Sequence, residues 1–260
     1  MHHFAGIIES PLVPAELPYR DFYYPLNVFM HVLTREEGSV TYLHYGLFEG
    51  RDESIAVAQE RSTTLLLDRL PKPPASILEV GIGLGTTLDR LTRLGYDATG
   101  ISPDQKQIAM ARQRFGDSVH IENVSFEQFV PRPFDVVVFQ ESSQYIDANS
   151  LFAKASEIAP VVIVLDEFAT GEGTLHRLDT FLRAAGANRF RKIEEVDLSR
   201  KAAPTVDYFM QRLERYRSAL IADLALTDKQ IDELIASGSA YKKRYADGTY
   251  VYRLLRFRKG

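Results

Sequence analysis

The architecture of this chain can be predicted from one stretch, Ser76-Ile-Leu-Glu-Val-Gly-Ile-Gly-Leu-Gly-Thr-Thr87. Its first residues form a short apolar run, which is typical of a buried parallel strand, and a glycine-rich turn follows. Leu88 and Leu91 then recur at helical spacing, and Gly95 stands where a helix ends. The stretch therefore predicts a strand, a glycine turn and a helix.

The glycine turn is a candidate ligand site. Gly81, Gly83 and Gly85 let the backbone approach a ligand with no Cβ in the way, and the following helix offers free N–H groups. A dinucleotide-binding fingerprint would read G-x-G-x-x-G, with an acid about 20 residues later. This turn reads G-x-G-x-G, and Glu79 precedes its first glycine within the strand. The alternative is a tight strand-to-helix turn with no ligand.

The position of the acid and the spacing of the glycines resemble motif I of the class I S-adenosylmethionine (SAM) methyltransferases. The resemblance implies that Glu79 faces the methionyl end of SAM and that Gly81, Gly83 and Gly85 pass under it. It also implies SAM as the cofactor and S-adenosylhomocysteine (SAH) as the product. The elements that follow in the chain help to choose between this interpretation and a turn without a ligand.

The composition is that of an ordinary globular protein. The 260 residues are 45% hydrophobic and 25% charged, and this length suffices for a full core. The chain has no cysteine, which excludes disulfides, thiolate zinc sites and cysteine nucleophiles. A net charge of −4 does not favour nucleic-acid binding. No apolar run is long enough to span a bilayer and no signal-peptide pattern opens the chain, so we expect a cytoplasmic protein.

Strand and helix patterns alternate along the rest of the core, which predicts a parallel, doubly wound α/β sheet. Further strands are expected at 97–101, 119–121, 134–139, 161–165, 190–198 and 249–258. The resemblance implies a Rossmann-like sheet of seven strands in the order 3-2-1-4-5-7-6, with the last strand antiparallel. Ligands of such sheets bind at the carboxyl ends of the strands.

Residues after the second and third strands are candidates for cofactor binding. A G-I-S-P-x-Q sequence after the second strand resembles the subgroup of cyclopropane fatty acid synthases, phosphoethanolamine methyltransferases and natural-product O- and N-methyltransferases. Ser102 stands there where most of the family has an acid for the ribose, so Ser102, Asp104 or Gln105 would make that contact. The alternative is a helix cap, with Ser102 as N-cap and Gln105 closing a capping box. After the third strand, Ser125 replaces an acid that the family often uses for adenine, and Phe126 could lie against the adenine face.

The segment after the fourth strand, Gln140-Glu-Ser-Ser-Gln-Tyr-Ile146, is expected to face the transferred methyl group. It resembles the Glu-Ser-x-x-aromatic segments of natural-product methyltransferases; a polar strand-to-helix loop is the alternative. Gln140 is a candidate for cofactor binding. Glu141 is the first candidate for general base, because it directly follows the fourth strand, where members of the resembled family keep residues that contact the acceptor. Partial burial under a lid raises the pKa of a carboxylate and makes it a more useful base. Tyr145, with a reference pKa of about 10, is expected to orient the acceptor by donating a hydrogen bond.

Asp166 and His44 are the other candidate bases. Asp166 is predicted at the end of the fifth strand, facing the same cleft. His44 lies in the aromatic segment 41–49, which resembles the region of small-molecule methyltransferases that closes over the cofactor. In that interpretation Tyr45 contacts SAM, whereas the alternative is an aromatic segment packed on the domain. No metal is expected, because the carboxylates lack a convincing metal-ligand spacing.

Four segments are expected: an N-terminal cap at 1–60, a SAM-binding core at 61–198, an inserted helical lid at 199–246 and the final strand at 247–260. The lid is predicted from a helical stripe between Val206 and Leu224 and a helix from Thr227 to Ser237. A stabilising appendage or a homodimer contact is the alternative for this insertion.

The sequence thus predicts an enzyme that transfers a methyl group from SAM to an O, N or C atom of a small molecule, as in specialised metabolism. One alternative is a SAM-binding protein with a different transfer reaction or no catalysis. The other is a methyltransferase for protein or RNA, which the acidic net charge disfavours. The expected partner is a small-molecule acceptor, with no nucleic acid and no membrane span.

Overall fold

A computed structural model describes residues 17–50 and 52–260 of the chain. These residues divide into two compact units. The larger unit comprises 41–206 and 241–260, and the smaller unit comprises 17–40 and 207–240. Their boundaries differ from the four predicted segments, because 41–60 and 199–206 belong to the larger unit. Residues 1–16 and 51 of the predicted N-terminal cap lie outside the described residues.

The larger unit is built on a seven-stranded sheet in the order β3-β2-β1-β4-β5-β7-β6. Its strands are β1 (Ser76–Val80), β2 (Asp97–Ser102), β3 (His120–Asn123), β4 (Val136–Gln140), β5 (Val161–Ala169), β6 (Phe190–Asp197) and β7 (Tyr250–Lys259). The pairs from β3 to β5 are parallel, and β7 pairs antiparallel with both β5 and β6. The predicted fold class, strand order and reversed last strand are confirmed.

Both faces of the sheet are buried, as in a doubly wound fold. Neighbouring residues of β4 belong to different apolar clusters: Val136 packs in a cluster with Leu88, and Val137 in a cluster with Leu151. Because successive side chains of a strand point to opposite faces, each cluster lies on one side of the sheet. The helices that cover these faces explain why β4 reads as an unbroken apolar run.

Ten α-helices lie among the described residues, and they include the helix predicted after the glycine turn and the helices predicted within 206–237. They are α1 (Leu26–Glu37), α2 (Ile55–Leu67), α3 (Thr86–Arg93), α4 (Gln105–Phe115), α5 (Ala148–Ile158), α6 (Leu178–Ala187), α7 (Ser199–Ala202), α8 (Pro204–Arg215), α9 (Arg217–Leu224) and α10 (Asp228–Ala246), with 3₁₀ turns at Gly116–Ser118 and Ser143–Tyr145. None of the helices among the described residues is long and apolar enough to cross a membrane.

The start of α4 corrects the predicted helix cap. Asp104, not Ser102, is the N-cap, and its carboxylate accepts hydrogen bonds from the N–H groups of Lys106 and Gln107 at 2.9 and 3.1 Å. Ser102 is the last residue of β2, and its hydroxyl accepts a hydrogen bond from the Asp104 N–H. An acid at this position satisfies two free N–H groups of the first turn, which a serine two residues earlier cannot reach.

The length of β5 corrects a second expectation. Asp166 and Glu167 lie inside β5 and not after its end, because the strand continues to Ala169. Their backbones pair with Arg253 and Tyr252 of β7. The antiparallel neighbour therefore extends β5 beyond the point where its apolar run stops.

The smaller unit contains α1, α9 and parts of α8 and α10. His31 is fully buried within it, 3.2 Å from the Tyr19 hydroxyl and 3.3 Å from an Asp223 carboxylate oxygen. Arg35 donates a hydrogen bond to the same Asp223 oxygen at 2.8 Å. This buried polar network ties α1 to α9.

Candidate functional site

The three glycines of the turn after β1 have different surroundings. All three have positive φ, +79° at Gly81, +52° at Gly83 and +78° at Gly85. A Cβ at Gly81 would lie 2.5 Å from the Ser142 Cβ, and one at Gly85 would lie 2.8 Å from the Ala111 Cβ. A Cβ at Gly83 would meet only Leu43, at 3.6 Å. Two of the glycines therefore allow close packing within the protein, whereas the space beside Gly83 is available to a ligand.

Glu79 lies beside this turn in β1 and is 2% exposed. Its Oε2 atom has no hydrogen-bond partner among the residues that the structure describes. Burial raises the pKa of this carboxyl to about 8. A buried carboxylate without a partner is unfavourable, and a bound cation would relieve that cost. SAM carries both an ammonium and a sulfonium group, so the residues present fit the cofactor implied by the glycine turn.

The raised pKa of Glu79 predicts a dependence of stability on pH. Its pKa in the folded protein, about 8, lies above its ordinary value of 4.5, so the folded form binds the extra proton. The free energy of unfolding of the ligand-free protein should fall as the pH rises between those two values. In Glu79→Gln this decrease should be smaller. Urea unfolding of both proteins at several pH values measures the difference, and parallel curves would contradict the prediction.

Glu141 follows β4 directly and has a positive φ of +55°. Its Oε1 atom accepts a hydrogen bond from the Tyr45 N–H at 2.7 Å and another from the Tyr252 hydroxyl at 2.5 Å. Burial raises the pKa of Glu141 well above its ordinary value, and the nearby Asp166 and Glu167 raise it further. A positive φ is uncommon for a residue with a side chain and occurs often at functional sites.

Asp166 holds the segment after β4 in place. Its Oδ2 atom accepts hydrogen bonds from the Ser143 N–H at 3.0 Å and from the Ser143 hydroxyl at 2.6 Å. His176 adds a second attachment, because its Nε2 lies 2.9 Å from the Ile146 carbonyl oxygen. Burial raises the pKa of Asp166 to about 6. Since Oδ1 accepts from the Glu167 N–H, both oxygens of Asp166 are occupied by protein donors. This arrangement favours a structural role over that of a base.

Replacing Asp166 with alanine should therefore destabilise the protein. The change leaves the buried Ser143 N–H and hydroxyl without their acceptor, at a cost of roughly 1–3 kcal/mol for each unsatisfied group. We expect the free energy of unfolding to fall by about 3 kcal/mol, measured by urea denaturation. A loss below about 0.5 kcal/mol would show that the Asp166–Ser143 contacts do not hold the segment.

His44 and Gln140 lie together in a buried polar network. The His44 Nε2 atom is 3.0 Å from the Thr63 hydroxyl, and its Nδ1 atom is 3.0 Å from the Tyr45 carbonyl oxygen. The Gln140 amide donates to the Thr63 hydroxyl at 3.4 Å and accepts from the Thr87 hydroxyl at 3.3 Å. Burial lowers the pKa of His44 to about 4. With both ring nitrogens occupied, His44 is a poor candidate for the base, and Gln140 links β4 to α2 and α3.

The aromatic segment that contains His44 is attached to α2. The Leu47 N–H donates to the Ala58 carbonyl at 2.8 Å, and the Gln59 amide donates to the His44 carbonyl at 2.6 Å. The Tyr45 ring stacks on the Tyr252 ring, with centroids 5.9 Å apart and planes 6° apart. Tyr45 therefore lies beside Glu141 and packs on Tyr252, and its contact with a cofactor stays a prediction.

The remaining candidates are spread over several strand ends. Gln105 is exposed at the start of α4. The Ser125 hydroxyl accepts from the Gln128 N–H at 3.4 Å in the turn after β3, and the buried Phe126 packs edge-on against Phe139. Tyr145 is 81% exposed, so no buried pocket encloses its ring. Contacts of these residues with a cofactor or an acceptor stay predictions.

The sequence analysis did not identify the tyrosines that donate hydrogen bonds to Glu141 and Glu167. Tyr252 donates to Glu141, and the Tyr245 hydroxyl donates to Glu167 at 2.5 Å. Burial raises the pKa of Glu167 to about 7. The one available signal was the predicted position of the last strand beside β5, which places residues of 249–258 near Glu167. Spacing along the sequence could not show which tyrosine reaches which acid.

Comparison with known proteins finds similarity to methyltransferases. Residues 77–162 match a family model described as a methyltransferase domain. An uncharacterised methyltransferase of Geobacillus sp. (strain WCH70) is 24% identical over 163 residues, which cover 61% of this chain and 76% of that protein.

Solved structures share the fold of this chain. A mycolic acid cyclopropane synthase complexed with SAH has a TM-score of 0.78 and 17% identity, and covers 96% of this chain and 100% of its own. The cyclase SpnF has a TM-score of 0.72 and 20% identity, and covers 88% of this chain and 92% of its own. The chain thus has the seven-stranded fold that the resemblance to motif I predicted, and it shares this fold with a protein that was crystallised with SAH.

Proposed function

We propose that this methyltransferase transfers the methyl group of SAM to an O, N or C atom of a small molecule, with Glu141 as general base. The proposal rests on the hydrogen bonds of the Glu141 carboxylate at the end of β4. Both of its hydrogen bonds from the described residues go to Oε1, which leaves Oε2 for the acceptor. Ligands bind at this end of the strands in open α/β sheets.

Glu79 and Gly83 are proposed to hold the cofactor. Gly83 has free space beside its Cα, and Glu79 is buried with an unpaired oxygen. When bound, SAM supplies a methyl group on a sulfonium, which a nucleophile can attack in line. The protein then contributes position, and a base if the nucleophile carries a proton.

The acidic character of the site favours an acceptor that arrives protonated. Asp166 and Glu167 lie close enough to Glu141 to raise its pKa, and Asp166 also raises the pKa of Glu167. Such a set would repel an anionic nucleophile, whereas it can accept a proton from a hydroxyl or an ammonium group. Further proposals are a cytoplasmic location and a role in specialised metabolism.

The fold also supports a second candidate, SAM binding with another reaction. The cyclase SpnF shares this fold, so the fold does not itself imply methyl transfer. A protein or RNA methyltransferase is less favoured, since the net charge of −4 does not suit a nucleic-acid substrate.

Incubation with SAM labelled in its methyl group tests the proposed function. The acceptors should include amines, alcohols, phenols and lipids, with total RNA and protein as separate samples. We expect label in a low-molecular-weight product together with stoichiometric SAH. Label in RNA or protein alone, or SAM binding without any transfer, would contradict the proposal and favour one of the alternatives.

A further inference from the structure

Tyr252 has no role in the proposed reaction so far, although it donates the shortest hydrogen bond to Glu141. We propose that Tyr252 is a positioning residue: its hydroxyl, together with the Tyr45 N–H, holds Oε1 of Glu141, so that Oε2 faces the acceptor. This inference rests on the proposed role of Glu141 as the base. It adds a residue on the last strand of the sheet, 111 positions away in the sequence.

The two donors fix the orientation of the Glu141 carboxylate. The Tyr252 hydroxyl lies 2.5 Å from Oε1, and the Tyr45 N–H donates to the same atom at 2.7 Å. Both distances are in the range of hydrogen bonds to a charged acceptor. Two donors on one oxygen leave the carboxylate little freedom to rotate about its last side-chain bond. The second oxygen is then held in one place, as a base requires.

Tyr252 is itself rigidly held. It is fully buried, and its ring stacks on the ring of Tyr45. Its backbone N–H donates to the Ser199 hydroxyl at 3.0 Å, and its carbonyl accepts from the Leu198 N–H at 2.9 Å. A donor on a central, paired strand can hold the base more firmly than a donor on a loop.

The groups around Glu141 act on its pKa in opposite directions. Asp166 and Glu167 face it from β5, and Tyr252 faces it from β7. The two acids and burial disfavour its charged form, whereas the hydrogen bonds from Tyr252 and the Tyr45 N–H favour that form. Tyr252 therefore has two effects: it orients the carboxylate and makes it easier to ionise.

The pKa of Glu141 tests this inference without any acceptor. Carbon-13 labelling of the glutamate side-chain carboxyl carbons gives a titration curve for each glutamate, and Glu141→Gln identifies the signal. We expect Tyr252→Phe to raise the pKa of Glu141 by about one to two units, the size expected for loss of a hydrogen bond to a charged group. Tyr250→Phe is the matched control, because it removes a buried hydroxyl from the same strand and leaves the bonds of Glu141 intact. In that control the curve should not move.

An unchanged Glu141 curve in a folded Tyr252→Phe protein would overturn the inference. If that variant does not fold, the signal of the Tyr252 carbon that bears the hydroxyl is compared between wild type and Glu141→Gln. It should move when a neutral amide replaces the carboxylate, and an unchanged signal would also overturn the inference. Since neither measurement uses turnover, a failure of methyl transfer would be recognised separately in the labelled-SAM experiment.

Discussion

Replacing Gly83 with alanine should weaken SAM binding by about 10- to 100-fold while the protein stays folded. In the ligand-free structure the added methyl group would meet only the Leu43 side chain, at 3.6 Å, which is an ordinary contact. With the cofactor against the turn, the same methyl group would occupy filled space, at a cost of roughly 1–3 kcal/mol. A cost of 1.4 kcal/mol corresponds to about one factor of 10 in affinity.

Gly116→Ala is the matched control for the Gly83 variant. Gly116 has a φ of +58°, close to the +52° of Gly83, and a Cβ there would meet nothing within 4 Å. Both variants place a Cβ on a residue with a positive φ, and only one of them adds an atom at the proposed site. Titration calorimetry with SAM measures the affinities. Equal affinities in the two variants would show that the cofactor does not lie against Gly83.

Replacing Glu141 with glutamine should lower kcat by roughly 10²–10⁴-fold and leave the affinity for SAM unchanged, because an amide cannot accept the proton of the acceptor. The acceptor is the one found with labelled SAM. In the wild type the rate should rise with pH as Glu141 loses its proton, because only the carboxylate is a base. The high pKa that burial gives Glu141 places this rise well above the ordinary range of a glutamate. In Glu141→Gln the same rise should be absent.

Glu60→Gln is the control for the base. The Glu60 carboxylate also accepts a hydrogen bond from a tyrosine hydroxyl, that of Tyr42 at 2.8 Å, but it lies on α2 away from the strand ends. Its loss should leave kcat within about a factor of two. If Glu141→Gln turns over as fast as Glu60→Gln from pH 6 to pH 9, Glu141 is not the base. The acceptor would then arrive without its proton.

The alternation of strands and helices along the chain and the position of Glu79 could be predicted from the sequence because local signals determine them. The order of the strands within the sheet was implied only by the resemblance to class I methyltransferases. Apolar runs of four to six residues separated by helical periodicity indicate a doubly wound sheet, and the glycines indicate where the first strand ends. The end of β5 could not be predicted in this way. Asp166 and Glu167 look like residues of a loop, and only their pairing with β7, more than 80 residues later, makes them part of a strand.

The cap of α4 shows a different limit. Ser102 and Asp104 are both good N-cap residues, so propensity alone did not separate them. Ser102 belongs to β2, where it pairs with Asn123 of β3, and the helix begins after Asp104. Pairing within the sheet therefore determines which of the two residues, Ser102 or Asp104, caps the helix.

The candidate site was predictable at the level of strand ends and not at the level of contacts. Glu141 was placed correctly after β4, because the run of apolar residues ends there. The hydrogen bond from Tyr252 to Glu141 and the burial of His44 depend on contacts between segments that are distant in the sequence. The spacing of residues along the chain does not predict such contacts. For the same reason the sequence offered His44 as a base, whereas its two nitrogens serve Thr63 and Tyr45 in the structure.

A crystal structure of the protein with SAH is the most direct test of the proposed site. We expect the SAH methionyl group against Gly83, its ammonium group at the buried carboxylate of Glu79, and its sulfur facing a cavity that Oε2 of Glu141 borders. SAH bound at another edge of the sheet, or a Glu79 carboxylate that stays without a partner in the complex, would contradict the assignment of both the cofactor site and the base.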